Sequence, residues 1–182
     1  MTTTATENLT GERADLLDTL HKHRELFRVP ARGVDDDQAR TRSTISELTL
    51  GGLVKHVTAV EKNWAQFVLE GPAPSPEIDW ANVDWSNPPP EVAAYADGFR
   101  MLEGETLAGL LAEYDAVAAA TDALVATVDL DASQPLPAAP WFEAGASWTA
   151  RRVFLHVVAE TAQHAGHADI IRETIDGTKS MG

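Results

Sequence analysis

One segment near the carboxyl end of the chain constrains the fold most, because it is long, contains no proline and closes on a glycine. It covers residues 151–177 and reads RRVFLHVVAETAQHAGHADIIRETIDG. Proline would interrupt a helix, and a glycine suits the left-handed position that follows a helix end. The segment therefore predicts one long helix that ends at Gly177.

Ionisable side chains share one face of this predicted helix with apolar ones. Because each residue advances a helix by about 100°, four of them fall within a sector about 80° wide. They are His156, Glu160, His164 and His167, and the apolar residues in or beside the sector are Val153, Val157, Ala168 and Ile171. A buried imidazole or carboxylate without a partner costs roughly 1–3 kcal/mol. The sector therefore requires a hydrogen-bond network, an ion pair or a metal.

Several pairings on this helix satisfy that requirement. Residues four apart lie one above the other, so Glu160 and His164 can bind a single ion. His156 with Glu160, and His164 with His167, are alternative pairs. A structural network of histidines and the glutamate explains the same pattern without any metal. The helix by itself does not choose between these alternatives.

Charge and composition exclude several classes of function. The formal net charge of −14 repels phosphate backbones and anionic lipids, so we expect neither a nucleic acid nor a membrane as partner. The chain has no cysteine, which excludes disulfides, thiolate ligands and a cysteine nucleophile. It contains no apolar run of about 18 residues. Its first residues lack the basic-then-apolar order of a secretory signal, so we expect a cytoplasmic protein.

Three further helices are predicted, at about residues 12–27, 49–70 and 106–128, before a fourth at about 149–175. In the second helix His56 lies within an apolar stripe at helical spacing. The other members of that stripe are Leu53, Val60, Trp64 and Phe67. Gly51 and Gly52 lack the spacing of a phosphate loop, so small residues for close helix contact explain them better. The third helix carries no histidine, and its polar residues indicate a solvated face.

The connections between these helices are long and rich in proline and aromatic residues. Residues 71–105 cannot form one helix, and their aromatic content favours an ordered crossover packed on the bundle. The aromatic residues concerned are Trp80, Trp85, Tyr95 and Phe99. No region alternates strongly enough to predict a sheet. We therefore expect an all-α four-helix bundle with long crossover connections, as a single domain over residues 1–182.

Two blocks of sequence carry a resemblance to a known family. They are LTLGGLVKHVTAVEKNW in the second helix and RRVFLHVVAETAQHAGHADIIRETIDG in the fourth, and the opening DLLDTLHKHREL agrees with them. Together they resemble the DinB-like superfamily, specifically its DUF664 branch. That branch is related to mycothiol-dependent maleylpyruvate isomerase and to the bacillithiol S-transferases. The resemblance covers nearly the whole chain.

The resemblance implies a divalent metal held by three protein ligands. One ligand in such proteins is a histidine of the second helix, and two others lie four residues apart on the fourth. Carried onto this chain, the ligands are His56, Glu160 and His164. Three ligands leave an open position, as catalytic sites require, and this donor set suits zinc first and nickel as the alternative. His156 and His167 then become candidate catalytic groups that transfer protons, or else ordinary histidines of the core and rim.

The function that the resemblance implies is a metal-dependent thiol S-transferase using a low-molecular-weight thiol such as mycothiol. The metal would generate the thiolate, and an electrophilic small molecule would accept it. Arg151, Arg152 and Arg172 are the nearest basic residues that could hold a carboxylate of a cosubstrate. A metal-dependent hydrolase or isomerase using bound water is the alternative enzyme, and a non-catalytic dimerising bundle is the alternative outside enzymes. A homodimer is compatible with each reading.

Overall fold

The computed structural model describes residues 9–74, 83–84, 86–137, 139 and 141–180, and helices account for most of them. In chain order the helices are α1 Glu12–Arg28, a short 3-10 helix Val29–Ala31, α2 Asp36–Arg40, α3 Leu50–Glu70, α4 Pro90–Asp97, α5 Leu107–Thr127 and α6 Ala150–Asp176. The four long ones are α1, α3, α5 and α6. The bounds expected from the sequence differ from the bounds of these four by at most one residue.

Side-chain caps explain where three of the long helices begin. Thr49, Thr106 and Thr149 each precede a helix, and the side chain of each accepts a hydrogen bond from the backbone N–H three residues later. Such a cap satisfies a donor that would otherwise lack a partner at the helix start. At the other end of α6, Gly177 takes the left-handed conformation with φ of 78°. This end is the one that the sequence predicted.

The four long helices form a closed bundle. α1 packs on α6, α6 packs on α3, α3 packs on α5, and α5 returns to α1. The all-α prediction is therefore confirmed, with one addition that the sequence did not predict. Strands β1 (Ser133–Pro135) and β2 (Ser147–Thr149) pair antiparallel, with Gln134 opposite Trp148. Three residues a strand are too few for an alternating pattern to be recognisable.

The bundle core consists of two apolar clusters with a polar layer between them. Phe27, Leu53 and Val57 belong to one cluster, and Leu20 and Phe154 belong to the other. Each long helix crosses from one cluster to the other through at least one buried polar residue. These residues include Arg24 of α1, Glu61 of α3, Thr121 of α5 and Thr161 of α6. The polar layer therefore lies at mid-height, at the level of Glu160 and His164.

An ion pair forms the centre of this layer, and the sequence did not predict it. The Arg24 guanidinium donates through Nε and Nη2 to the Glu61 carboxylate at 3.2 and 2.5 Å, and through Nη1 to Asp122 at 2.7 Å. Asp122 also lies 2.6 Å from Nε2 of His21. The solvated face expected for the third long helix is therefore wrong at Asp122, which pairs inward. Although burial opposes the charge, the Glu61 carboxylate raises the pKa of Arg24.

The glycine pair at the start of α3 allows a close approach, but of a loop rather than a helix. A Cβ on Gly52 would lie 2.1 Å from the backbone oxygen of Phe99, and one on Gly51 would lie 2.6 Å from Sδ of Met101. Only glycine lets the 99–101 segment come this near. Within the described part of the chain, no helix is long and apolar enough to cross a membrane.

Candidate metal centre

Three side chains from two helices converge on the flank of the bundle between α3 and α6. His56, Glu160 and His164 each offer one ligand atom, and these atoms all lie within 4.8 Å of one another. The rings of His56 and His164 meet edge to face, with centroids 4.9 Å apart. Glu160 and His164 are one helical turn apart on α6, so their side chains leave the helix in the same direction. The structure thus brings together the three residues that the resemblance implied.

The chemistry of these donors fits a divalent ion. Burial lowers the pKa of both His56 and His164, which keeps the imidazoles neutral near pH 7 with a lone pair free for coordination. Glu160 adds an anionic oxygen, and its side chain is 28% exposed. All three residues are partly buried rather than on the open surface. Two imidazoles and one carboxylate are a set that zinc and nickel accept.

His167 contacts the centre through His164. The Nδ1 atoms of the two histidines lie 3.3 Å apart, while Nε2 of His164 lies 3.7 Å from Oε2 of Glu160. One ring nitrogen of His164 therefore faces the other ligands and the second faces His167. A hydrogen bond on the second nitrogen fixes the tautomer and the orientation of a ligand histidine. In this geometry His167 contacts His164 and is not itself a member of the three.

His156 lies on the other side of Glu160. Its Nε2 is 3.6 Å from Oε1 of Glu160. The ring is enclosed edge-on by Trp64 at 5.0 Å and by Trp148 at 5.1 Å, measured between centroids. This burial lowers the pKa of His156, so that it too is a neutral imidazole and a proton acceptor at pH 7.

Aromatic residues from the two long connections form the walls of the site. Phe99 stacks on His56 with centroids 4.3 Å apart and 22° between the rings, and Tyr95 meets Phe99 edge-on at 5.3 Å. From the other connection, Trp148 stacks on Trp64 at 4.9 Å and 16°. Trp80 and Trp85, which the sequence also predicted to pack on the bundle, lie outside the described residues.

The sequence singled out Phe99 only as an aromatic of the crossover and assigned no role to Trp148. The single signal for Trp148 was its position just before the helix cap Thr149. That position fixes a side chain close to the start of α6, and hence near His156.

The three arginines that could hold a carboxylate have different surroundings. Arg172 is buried and donates to the backbone oxygens of Pro30 and Arg32 and to Asp176, so it is a structural residue. Arg151 pairs with the carboxylates of Glu12 and Asp131. Only Arg152 points to the site, where its guanidinium lies over the Trp148 ring at 4.7 Å.

Comparison with known proteins identifies one family. A family model described as Mycothiol-S-transferase matches residues 15–177, a range that contains most of α1, both helices that supply the three candidate ligands, and Gly177. No curated protein matches the chain. The match covers well over half of the sequence.

Proposed function

Because the chain belongs to the mycothiol S-transferase family, we propose that it is a metal-dependent enzyme that joins the sulfur of mycothiol to an electrophilic small molecule. The observation that carries the metal dependence is the meeting of His56, Glu160 and His164 within 4.8 Å. Zinc is the first choice of ion and nickel the second. The absence of cysteine agrees with the proposal, since the reacting thiol then has to arrive with the substrate.

The proposal assigns a separate task to each side chain of the site. His56, Glu160 and His164 would hold the ion, and His167 would orient the His164 ring. A divalent ion held there lowers the pKa of a thiol from its ordinary value near 8.5, so that thiolate is present at neutral pH. Neutral His156, which lies beside Glu160, would accept the proton that the thiol releases.

The aromatic walls would restrict the access of water to the reacting sulfur. Phe99 covers one side of His56, and the stacked pair of Trp64 and Trp148 covers the side of His156. Excluding water strengthens electrostatic interactions within a site and suppresses hydrolysis. We propose that the enzyme works in the cytoplasm, where such a thiol stays reduced.

The decisive experiment measures metal content and activity on the same protein samples. Wild type and His164→Ala are purified, their metal is determined by elemental analysis, and conjugation of mycothiol to 1-chloro-2,4-dinitrobenzene is followed by absorbance. We expect about one equivalent of metal in the wild type, and loss of both metal and conjugation in the variant. His23→Ala is the matched control, because His23 is half-buried on α1 and is not among the three ligands.

Three outcomes would contradict the proposal, each in a different way. A metal-free wild type would remove the metal dependence. A metal-loaded protein that is inert with mycothiol and bacillithiol alike would remove the transferase reaction. Turnover of an ester or amide without any thiol would favour hydrolysis by bound water instead.

A further inference from the structure

We propose that Arg152 and Trp148 form the subsite that binds a carboxylate-bearing, conjugated electrophile, the acceptor of the thiol sulfur. This assignment rests on the proposed transferase function and deepens it by naming the class of the second substrate. In it, the guanidinium binds the carboxylate and the aromatic residues bind the planar part of the same molecule.

The first observation concerns the arginines of the chain. Of its ten arginines, nine donate a hydrogen bond to an oxygen atom of a carboxylate or of the backbone. Arg152 is the exception, since within the described part of the chain its contact is with the Trp148 ring. In a protein with net charge −14, an arginine that carboxylates leave unpaired is a ready binding group for an anionic ligand.

The second observation is the position of this guanidinium over an aromatic ring. It lies 4.7 Å above the centroid of Trp148, and Trp148 is itself held in a stack on Trp64. Stacking uses the flat face of the guanidinium and leaves the N–H groups at its edge free. Those N–H groups are the donors that bind a carboxylate by two parallel hydrogen bonds. Arg152 is thus restrained by a partner that does not compete for its donors.

The third observation is a cleft that Arg152 and Trp148 line together. The cleft has a volume of about 480 Å³, and its lining includes Arg152, Trp148, Phe142 and Trp141. Trp141 is 73% exposed, which is high for a tryptophan in a folded protein. Trp148 also contacts His156, and His156 lies 3.6 Å from Glu160. A molecule in the cleft that contacts Trp148 would therefore be separated from Glu160 by two side chains, those of Trp148 and His156.

One acidic residue limits the charge that the cleft accepts. Glu143 lines the same cleft but makes no ion pair with Arg152 among the described residues. A second negative charge on the ligand would be repelled by this carboxylate. A monocarboxylate therefore fits the cleft better than a phosphate dianion does.

A chlorinated nitrobenzoate makes the proposal testable with a balanced reaction. With 4-chloro-3,5-dinitrobenzoate, the thiol sulfur forms a bond to the ring carbon and the carbon–chlorine bond breaks. Chloride leaves with the bonding electrons, and the thiol proton passes to His156 and from there to solvent, so no oxidant or reductant is required. The matching amide, 4-chloro-3,5-dinitrobenzamide, has the same ring and no charge.

The kinetic experiment compares these two acceptors on wild type, Arg152→Gln and Arg152→Lys. We expect Arg152→Gln to raise KM for the benzoate by about tenfold or more, as for the loss of a charge-assisted pair. KM for the benzamide and for mycothiol should change less than about twofold in the same variant. Arg152→Lys should recover part of the preference for the benzoate, because it keeps the charge but not the two parallel donors. Arg151→Gln is the matched control, with the same charge change on a neighbour that pairs elsewhere.

A binding experiment separates this proposal from the proposed function. Non-reactive benzoate and benzamide are titrated into the metal-free protein while the indole N–H signals of the tryptophans are followed by NMR. We expect benzoate to shift the Trp148 signal in the wild type and in Arg151→Gln, but not in Arg152→Gln. The affinity for benzamide, measured from the same Trp148 signal, should be at least tenfold lower. Benzoate binding without any conjugation by the loaded enzyme would leave the subsite standing and overturn the transferase.

Other results would overturn the subsite. Equal KM values for the benzoate in wild type and Arg152→Gln would exclude a role for the guanidinium. A rise in the KM for mycothiol, with no change for the benzoate, would assign the cleft to the thiol instead. Equal shifts of Trp148 by benzoate and benzamide would show that the ring alone binds.

Discussion

Two glutamates on facing helices have opposite roles in this structure, and substituting each by glutamine separates stability from metal binding. Glu61 is fully buried and paired with Arg24, whereas Glu160 is 28% exposed and belongs to the candidate ligand set. We expect Glu61→Gln to destabilise the fold and keep the metal. We expect Glu160→Gln to keep the fold and lose the metal.

The magnitude for Glu61→Gln follows from its contacts. The carboxylate accepts two hydrogen bonds from the Arg24 guanidinium, at 3.2 and 2.5 Å. Breaking a buried ion pair by removing one partner costs about 3–5 kcal/mol, because the remaining charge stays buried. Asp122 still pairs with Arg24, so we expect the lower end, about 3 kcal/mol. For a chain of this length, that loss lowers Tm by roughly 6–12 °C.

The expected effect of Glu160→Gln on the metal-free protein is small. The two nearest nitrogen atoms, on His156 and His164, lie 3.6 and 3.7 Å away, beyond good hydrogen-bond distance. Partly exposed pairs of this kind contribute about 1 kcal/mol or less. Glutamine offers a neutral oxygen in place of the anionic ligand, so affinity for the ion should fall by at least about tenfold.

The assay is urea unfolding in the presence of a chelator, followed by zinc titration of the folded protein. A loss below about 1 kcal/mol in Glu61→Gln would refute the assigned role of the buried pair. The double variant Arg24→Met with Glu61→Leu removes both charges, and we expect it to recover much of the lost stability. Failure of the double variant to recover stability would also refute the role of the pair. Zinc affinity lost in Glu61→Gln and retained in Glu160→Gln would refute the assignment of the ligands.

Two further predictions concern pH and backbone packing. Burial lowers the folded-state pKa of His56 and His164 below the unfolded value of 6.5, so the unfolded chain binds protons first as pH falls. The stability of the metal-free protein should therefore be fully present above about pH 6.5 and decrease below that pH. The measurement is Tm as a function of pH in the presence of a chelator. A Tm that does not decrease would show that these histidines are solvated. Gly52→Ala should cost about 1–3 kcal/mol, because the added Cβ meets the Phe99 backbone oxygen at 2.1 Å. Gly166→Ala, whose added Cβ meets nothing within 4 Å, should instead stabilise α6 by up to about 1 kcal/mol. Both variants are measured by urea unfolding, and equal effects of Gly52→Ala and Gly166→Ala would contradict this contrast.

Helix positions were predictable because the signals for them are local. A threonine cap or a closing glycine acts within one turn, so the sequence contains all the information that sets these ends. The candidate metal ligands were less predictable. The helical spacing of α6 left three pairs open, namely Glu160 with His164, His156 with Glu160, and His164 with His167. Only the resemblance selected the first pair and added His56.

The buried ion pair was not predictable from any one helix. Arg24, Glu61 and Asp122 lie on three different helices and meet only because the bundle packs them at the same height. In the sequence each one resembles an ordinary charged residue of an amphipathic helix. The contact of Phe99 with His56 was likewise not predictable from one helix, because it depends on the close approach of the loop to Gly52.

The helices supply the candidate ligands and the connections supply the surrounding aromatic residues, which bears on how the range of substrates would be determined. All three candidate ligands lie on α3 and α6, whose packing on each other is part of the bundle core. The aromatic walls and the cleft come largely from the connections, through Phe99 on one side and Trp141 and Trp148 on the other. We therefore expect a substitution in a connection to change which proposed electrophile fits without disturbing the geometry of the candidate ligands. A substitution at the candidate ligands is expected to change metal binding and, with it, every reaction that would depend on the metal.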